Sequence, residues 1–153
     1  MRENTTLYER DFYAWAMEQA RLLRSGRLGD ADIENIAEEI ESIGRGEKRE
    51  LVSRLTVLLL HLLKWQFQPS HRGASWRLSI ANAREQLADH LDDNPSLKSM
   101  LDAAMVSAYR YACREAAKET GLAFSAFPSA CPWTFEQVMD EVFWPGEADD
   151  SVS

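Results

Sequence analysis

The chain has 153 residues and a net charge of −8, and 45% of its residues are apolar. That length suits one domain with a sizeable core, and the apolar fraction argues against a disordered chain. The longest near-continuous apolar run, Val57–Leu63, is far shorter than the roughly 20 residues that span a bilayer. Because the polar N-terminus also lacks the pattern of a secretory signal, we expect a cytoplasmic protein with no transmembrane helix.

Charge is unevenly distributed along the chain. Residues 1–43 carry 5 basic and 10 acidic side chains, residues 44–84 carry 8 and 2, and residues 85–153 carry 4 and 13. The three segments therefore have net charges of −5, +6 and −9. A basic centre between acidic flanks indicates ion pairing within the fold or, alternatively, a site for a small anion or an acidic partner. The flanks would repel a long polyanion, which disfavours nucleic-acid binding.

A first helix is predicted near the N-terminus. Thr6 and Glu9 fit a capping box, in which both side chains bind backbone N–H groups that the first helical turn leaves free. Apolar residues follow at roughly helical spacing. The pattern predicts a helix from about Leu7 to Arg24.

Two further helices are predicted, one before Gly44 and one after Gly46. Asp30 or Asp32 can cap the second helix. Its apolar residues form one stripe: Ile33, Ile36, Ile40 and Ile43. Gly44 is expected to end it. The third helix is predicted from Glu47 to about Phe67, and apolar residues wrap more than half of it, which is typical of a helix surrounded by other elements.

The fourth and fifth helices follow a turn at residues 70–74. The fourth helix is expected to end near Asp92. Its apolar residues repeat on one face: Trp76, Ile80, Ala83, Leu87 and Leu91. Asn94 can cap the fifth helix and Pro95 can occupy its first position, where a missing N–H costs little. Gly121 is the expected stop.

The remaining chain combines an apolar loop with a short sixth helix. Residues 122–133 are expected to lie as a loop across the surface, and they include three large aromatic residues: Phe124, Phe127 and Trp133. Thr134 and Gln137 form a second capping box, and the helix that follows is predicted to end by Phe143. Residues 146–153 are small and acidic, which predicts a frayed tail.

These patterns predict an all-α fold, an up-and-down helical bundle of about five main helices plus the short C-terminal one. We find no alternation typical of strands, no internal repeat and no linker between domains. We therefore expect residues 1–153 to form one domain, with an ordered core over about residues 6–144.

Several segments, taken in order and with their spacing, resemble one protein family. They are Leu7-Tyr-Glu-Arg-Asp-Phe-Tyr-Ala-Trp15, Glu38-Glu-Ile-Glu41 with Gly44, Glu47-Lys-Arg-Glu-Leu51, His61-Leu-Leu-Lys-Trp65 with Gln68-Pro69, Ser75-Trp76, Glu119-Thr-Gly121 and Cys131-Pro132. The chain is similar to the domain-of-unknown-function family numbered twenty-nine, from about Leu7 to Phe143. The resemblance implies a compact helical bundle and a bacterial source. It implies no activity, cofactor or catalytic residue.

Polar side chains are gathered on one ridge of the central helix. At 100° per residue, Arg54, His61 and Lys64 lie beside the leucine face. The shoulders of the second and fourth helices carry further charges, and if these shoulders meet, one polar layer results: Glu39, Glu41, Arg54, His61, Lys64, Arg77 and Arg84. Such a layer is either a structural network that fixes helix register or a small acid/base or anion-binding site. These seven residues are the candidate site.

The sequence predicts no metal site and no cofactor. Di-iron helical bundles need Glu-x-x-His pairs, which none of the three histidines completes. His71 falls in a polar loop and His90 beside acidic residues, so we expect both to be solvated, although three histidines on separate elements could converge on one ion. The two cysteines, Cys113 and Cys131, lack metal-ligand spacing and predict no disulfide framework. Nucleophile-elbow and Walker motifs are also missing from the sequence.

The functional hypothesis is a protein-binding or regulatory module without catalytic activity. Its partner would be a second copy of the chain or another protein, and the apolar loop and acidic outer segments would form the interface. The alternative is a small enzyme or anion-binding protein that uses the polar layer between helices two, three and four.

Overall fold

The computed structural model describes residues 7–146, and these residues form an all-α helical bundle that contains no strand. The α-helices are α1 (Phe12–Arg24), α2 (Ile33–Phe67), α3 (Ala74–Asp93), α4 (Leu101–Thr120) and α5 (Phe135–Met139). Short 3-10 helices lie at Leu28–Asp30, Pro69–His71, Pro95–Met100 and Phe124–Ala126. The predicted fold class is confirmed. Within the described range, no helix combines the length and apolarity needed to cross a membrane.

The first predicted helix is interrupted at Asp11. Residues 7–10 form a helical turn, and α1 then begins at Phe12. Asp11 has non-helical backbone angles, and its carboxylate accepts a hydrogen bond of 3.0 Å from the backbone N–H of Ala14. The expectation of an unbroken helix from Leu7 was therefore wrong, because Asp11 is itself a strong N-cap. The predicted cap Thr6 lies outside the described residues.

The second and third predicted helices form one continuous helix, α2. Gly44 was expected to end a helix, yet its φ angle is not positive and the helix continues through it. A glycine inside a helix costs only about 1 kcal/mol, whereas proline costs about 3 kcal/mol. Arg45 also spans the preceding turns, with a guanidinium nitrogen 2.8 Å from a Glu38 carboxylate oxygen and another 3.6 Å from Glu41.

The chain divides into two compact units, one ending at Gly46 and one beginning at Glu47. We call them the first unit and the second unit. That the chain behaves as one domain stays a prediction. In the first unit, the Trp15 indole N–H donates to the Asp32 carboxylate at 3.0 Å, and the Gln19 side-chain oxygen accepts from the Asp32 backbone N–H at 2.7 Å. Trp15 and Gln19 are each only 3% exposed, so these contacts join α1 to the start of α2.

The isoleucine stripe of the first unit is largely uncovered. Ile33 is 50% exposed, Ile40 63% and Ile43 67%. The spacing of the isoleucines correctly indicates a helix, but the described residues leave most of the isoleucine side chains exposed.

The second unit contains an extensive apolar core. All but one of the leucines of α2 from Leu51 to Leu63 are buried, as is the indole of Trp65, and Leu60 is partly buried. They pack with buried residues of the later helices: Ile80, Leu87, Leu91, Ala108, Ala112 and Val138. Most of the predicted apolar face of α3 belongs to this core. Most of the leucine run of the central helix is therefore enclosed, as its wide apolar surface predicts, although Val57 is 44% exposed.

The helix ends of the second unit follow the predicted signals closely. Gly121 follows α4 with φ of 75°, in the left-handed region that favours glycine. Thr134 and Gln137 form the predicted capping box of α5, although α5 ends at Met139 and not near Phe143. Asn94 does not cap through its side chain, and a 3-10 helix precedes α4 instead. In the loop, Phe127 is buried while Phe124 is 56% exposed.

Candidate functional site

Glu39 and Glu41 lie in the first unit, and their described contacts are within it. The Tyr8 hydroxyl donates a hydrogen bond to the Glu39 carboxylate, and this bond is the main cause that raises the pKa of Tyr8 to about 12. Glu41 lies beside Arg45. The predicted layer needed these carboxylates on a separate helix facing Arg54. Because α2 is continuous, Glu39, Glu41 and Arg54 instead lie on one helix, several turns apart, and cannot face each other across a helix interface.

Arg54 contacts α2 and α3, whereas the described hydrogen bond of His61 is within α2. The Arg54 guanidinium donates to the Glu50 carboxylate at 2.6 and 3.0 Å, and to the side-chain oxygen of Gln86 at 3.0 Å. The Nδ1 atom of His61 lies 2.8 Å from the backbone carbonyl of Val57, one turn earlier. Neither side chain is buried, so both have access to water.

Lys64 and Arg77 lie against aromatic rings. The Lys64 ammonium is 3.6 Å from a Glu119 carboxylate oxygen and 5.1 Å from the centre of the Trp76 ring. The Arg77 guanidinium lies 4.8 Å from the Trp65 ring and 4.9 Å from the Trp144 ring. Cation–π contacts of this kind suit a guanidinium because it is weakly hydrated and planar.

Arg84 is the most buried of the seven candidates, and it binds the C-terminal segment. Its guanidinium donates to the backbone carbonyls of Val138 and Phe143 at 2.8 Å each and of Glu141 at 3.4 Å. The ring of Trp144 lies 5.3 Å away. Burial lowers the pKa of Arg84, and the nearby carboxylates of Asp140 and Glu141 oppose this shift. Backbone carbonyls at the end of α5 and just after it therefore stabilise the Arg84 guanidinium, whose charge would otherwise be costly to bury.

The structure thus distributes the seven predicted residues over several separate environments. It brings Arg77 and Arg84 together around Trp144, and it places Lys64 beside Trp76 and Arg54 beside Glu50. It does not gather them into one layer. A catalytic role for any of them stays a prediction.

An apolar groove of about 850 Å³ lies in the second unit. One wall is α4, and the other is the loop that follows it. The lining residues are Met105, Val106, Tyr109, Arg110, Cys113, Phe124, Ser125, Phe127, Pro128, Ser129, Ala130, Cys131 and Trp133. Val106 is 69% exposed and Phe124 is 56% exposed, so the groove is open to large partners. The predicted apolar loop therefore forms one wall of this groove.

Tyr109 joins the two walls of the groove. Its hydroxyl donates a hydrogen bond of 2.7 Å to the backbone carbonyl of Pro128. Burial raises the pKa values of Tyr109 and of the two groove thiols, Cys113 and Cys131. Thiols with a raised pKa are poor nucleophiles because little thiolate is present at neutral pH. The groove therefore presents a concave apolar surface, and Tyr109, Cys113 and Cys131 are not activated as nucleophiles.

Comparison with family models matched the chain to Domain of unknown function DUF29 over residues 7–144. The chain belongs to this family. The match includes both units, the groove and the arginines around Trp144. Comparisons with curated proteins and with solved structures found no match. Because the DUF29 description assigns no activity, the function is argued from the structure of the site.

The sequence interpretation missed a second polar cluster in this DUF29 chain, formed by Glu47, Glu50 and His90. His90 was expected to be solvated, yet only 7% of it is exposed. The signal was available: His90 is three residues after Leu87 and beside Leu91, and it therefore belongs to the apolar face of α3. Its acidic neighbours in sequence, such as Asp89, point in other directions around the helix and say little about its surroundings.

Proposed function

We propose that this protein is a non-catalytic protein-binding module, and that its apolar groove receives apolar side chains of a partner protein. The single observation that carries this proposal is the open groove of about 850 Å³ between α4 and the 124–133 segment. Monomeric proteins rarely leave large contiguous apolar surfaces exposed unless the surface binds something.

The chemistry of the groove favours a protein segment over a small polar substrate. Aromatic residues, Met and Arg are enriched at the centres of protein interfaces, while other charged residues are depleted there. The groove follows this composition: Phe124, Trp133 and Met105 line it, and Arg110 supplies a charge. A matching partner would present apolar side chains with a carboxylate placed to meet Arg110.

A site-specific photo-crosslinking experiment tests this proposal. A photoreactive amino acid at position 106 in the groove is compared with one at position 78 on α3, since Val106 is 69% exposed and Leu78 is 62% exposed. We expect a discrete crosslinked adduct from position 106 and none from position 78. Mass spectrometry of the adduct identifies the attached peptide, which we expect to be apolar and to carry an acidic residue.

Matched substitutions then test the contact directly. We expect Val106→Asp to reduce recovery of the identified partner at least tenfold, and Leu78→Asp to leave it unchanged. An adduct with a peptide of this same chain would make the partner a second copy, which light scattering would confirm as a dimer that Val106→Asp dissociates. No adduct at position 106, or equal loss in both variants, would contradict the proposal.

A further inference from the structure

Three potential metal ligands converge near the N-terminal boundary of the second unit. Glu47 and Glu50 are three residues apart and share one face of α2, and His90 reaches them from α3. The Nδ1 atom of His90 is 3.7 Å from a carboxylate oxygen of Glu47 and 3.7 Å from one of Glu50. All three ligand atoms lie within 4.8 Å of one another. The cluster contains no groove residue and is independent of the proposed binding function.

The hydrogen bond on the far side of the ring fixes the role of Nδ1. The Nε2 atom of His90 is 2.9 Å from the backbone carbonyl of Glu47. A carbonyl only accepts, so Nε2 carries the proton, and in a neutral imidazole Nδ1 is then a lone pair. In that neutral form, Nδ1 lies 3.7 Å from an oxygen of each carboxylate, which is beyond hydrogen-bond distance. Metal-binding histidines characteristically donate their other N–H to a carbonyl or carboxylate in this way.

We propose that Glu47, Glu50 and His90 form a binding site for a divalent transition-metal ion of the Zn²⁺ type. Imidazole nitrogen favours such ions over Mg²⁺ and Ca²⁺, which prefer oxygen ligands alone. Tetrahedral zinc with bonds of about 2.0–2.2 Å places neighbouring ligand atoms about 3.3–3.6 Å apart. The two 3.7 Å separations are close to this value. Three protein ligands leave the fourth position to water.

The surroundings allow an ion to enter and hold the ligands in place. His90 is 93% buried, whereas the side chains of Glu47 and Glu50 are each 41% exposed. The partly exposed carboxylates can therefore shift to draw the three ligand atoms, which lie within 4.8 Å of one another, around one ion. Arg54 binds one oxygen of Glu50 at 2.6 Å and leaves the other directed at His90. Asn94 donates to the Glu47 oxygen of the cluster at 3.3 Å, which orients it.

Calorimetric titration of the full-length protein with Zn²⁺, after chelator treatment and dialysis, tests the site. We expect one ion per chain with a dissociation constant in the micromolar range or below, and at least a hundredfold weaker binding of Mg²⁺. Binding of Co²⁺ should give a visible absorption spectrum without a sulfur-to-cobalt charge-transfer band. That band, or a stoichiometry near zero, would overturn the proposal.

Isosteric variants locate the ion. Glu47→Gln and Glu50→Gln should each weaken Zn²⁺ binding at least tenfold, and His90→Ala should abolish it. The matched controls Glu85→Gln and His71→Ala, at exposed positions outside the cluster, should change the affinity by less than twofold. The two glutamine variants retain the shape of the carboxylates, so they decide the question even if His90→Ala fails to fold. Equal affinity in the cluster variants and the controls would show that the ion binds elsewhere.

The effect of the ion on stability separates a metal site from a structural ion pair. If the cluster binds Zn²⁺, saturating metal should raise the thermal midpoint of the wild type and of Glu85→Gln, and should not raise that of Glu50→Gln. If Glu50→Gln instead lowers the midpoint by the same amount with and without metal, the three residues stabilise the fold only as an ion pair, and the proposal is wrong.

Discussion

Both halves of α2 carry apolar residues at helical spacing, but the two halves differ greatly in burial. The first half, in the first unit, carries isoleucines at helical spacing, and Ile33, Ile40 and Ile43 are half or more exposed. The second half carries leucines, and all the buried residues of α2 fall between Leu51 and Trp65. Periodicity predicts that a segment is helical because it is a local property. Burial depends on whether another part of the chain covers the face, which is a non-local property.

The largest expected effect comes from truncating one leucine of the second half. Leu58 is completely buried, so Leu58→Ala should lower the free energy of unfolding by about 2–5 kcal/mol through lost apolar contact and a cavity. Ile40→Ala in the first half should cost less than about 0.5 kcal/mol because Ile40 is 63% exposed. Urea unfolding followed by circular dichroism measures both. Similar losses would mean that something covers the isoleucine stripe in solution.

A second test measures how much the buried guanidinium of Arg84 contributes to the stability of the second unit. Arg84→Ala leaves the carbonyls of Val138, Glu141 and Phe143 without their donor, and should cost about 3 kcal/mol. Arg84→Lys keeps the charge but cannot reach all three carbonyls, and it should cost less. The exposed control Arg114→Ala should change stability by less than about 0.5 kcal/mol. A small effect of Arg84→Ala in urea unfolding would show that the C-terminal segment does not depend on this residue.

The smallest expected change in stability is at Gly44 in the first half of α2, and it is a gain where the two preceding changes are losses. Gly44 is helical, and nothing lies within 4 Å of a Cβ atom built there. Gly44→Ala should therefore raise stability by about 0.5–1 kcal/mol, since alanine loses less backbone entropy on folding. Gly121→Ala is the control: its φ of 75° should make alanine destabilising by about 1 kcal/mol. Thermal unfolding compares the two, and destabilisation by Gly44→Ala would indicate that α2 bends at this glycine.

The candidate site shows the same division between local and non-local information. Helical angles place Arg54, His61 and Lys64 near one another around α2, but they could not show that Glu39 is on the same helix and not on a facing one. Arg84 was singled out correctly as a polar residue beside an apolar face, yet its partners are carbonyls of residues 138–143, far along the chain. No spacing rule connects a guanidinium to such distant backbone groups.

The sequence by itself determined the all-α class, most helix ends and the two turns that glycine and a capping box specify at Gly121 and Thr134. These features depend on propensity, periodicity and capping, which act within a few residues. The tertiary structure alone decided that α2 continues through Gly44, that the isoleucine stripe stays exposed, and that His90 is buried against Glu47 and Glu50. The continuity of α2 depends on a helix-propensity cost of only about 1 kcal/mol at Gly44. Burial depends on contacts between residues that are distant in sequence.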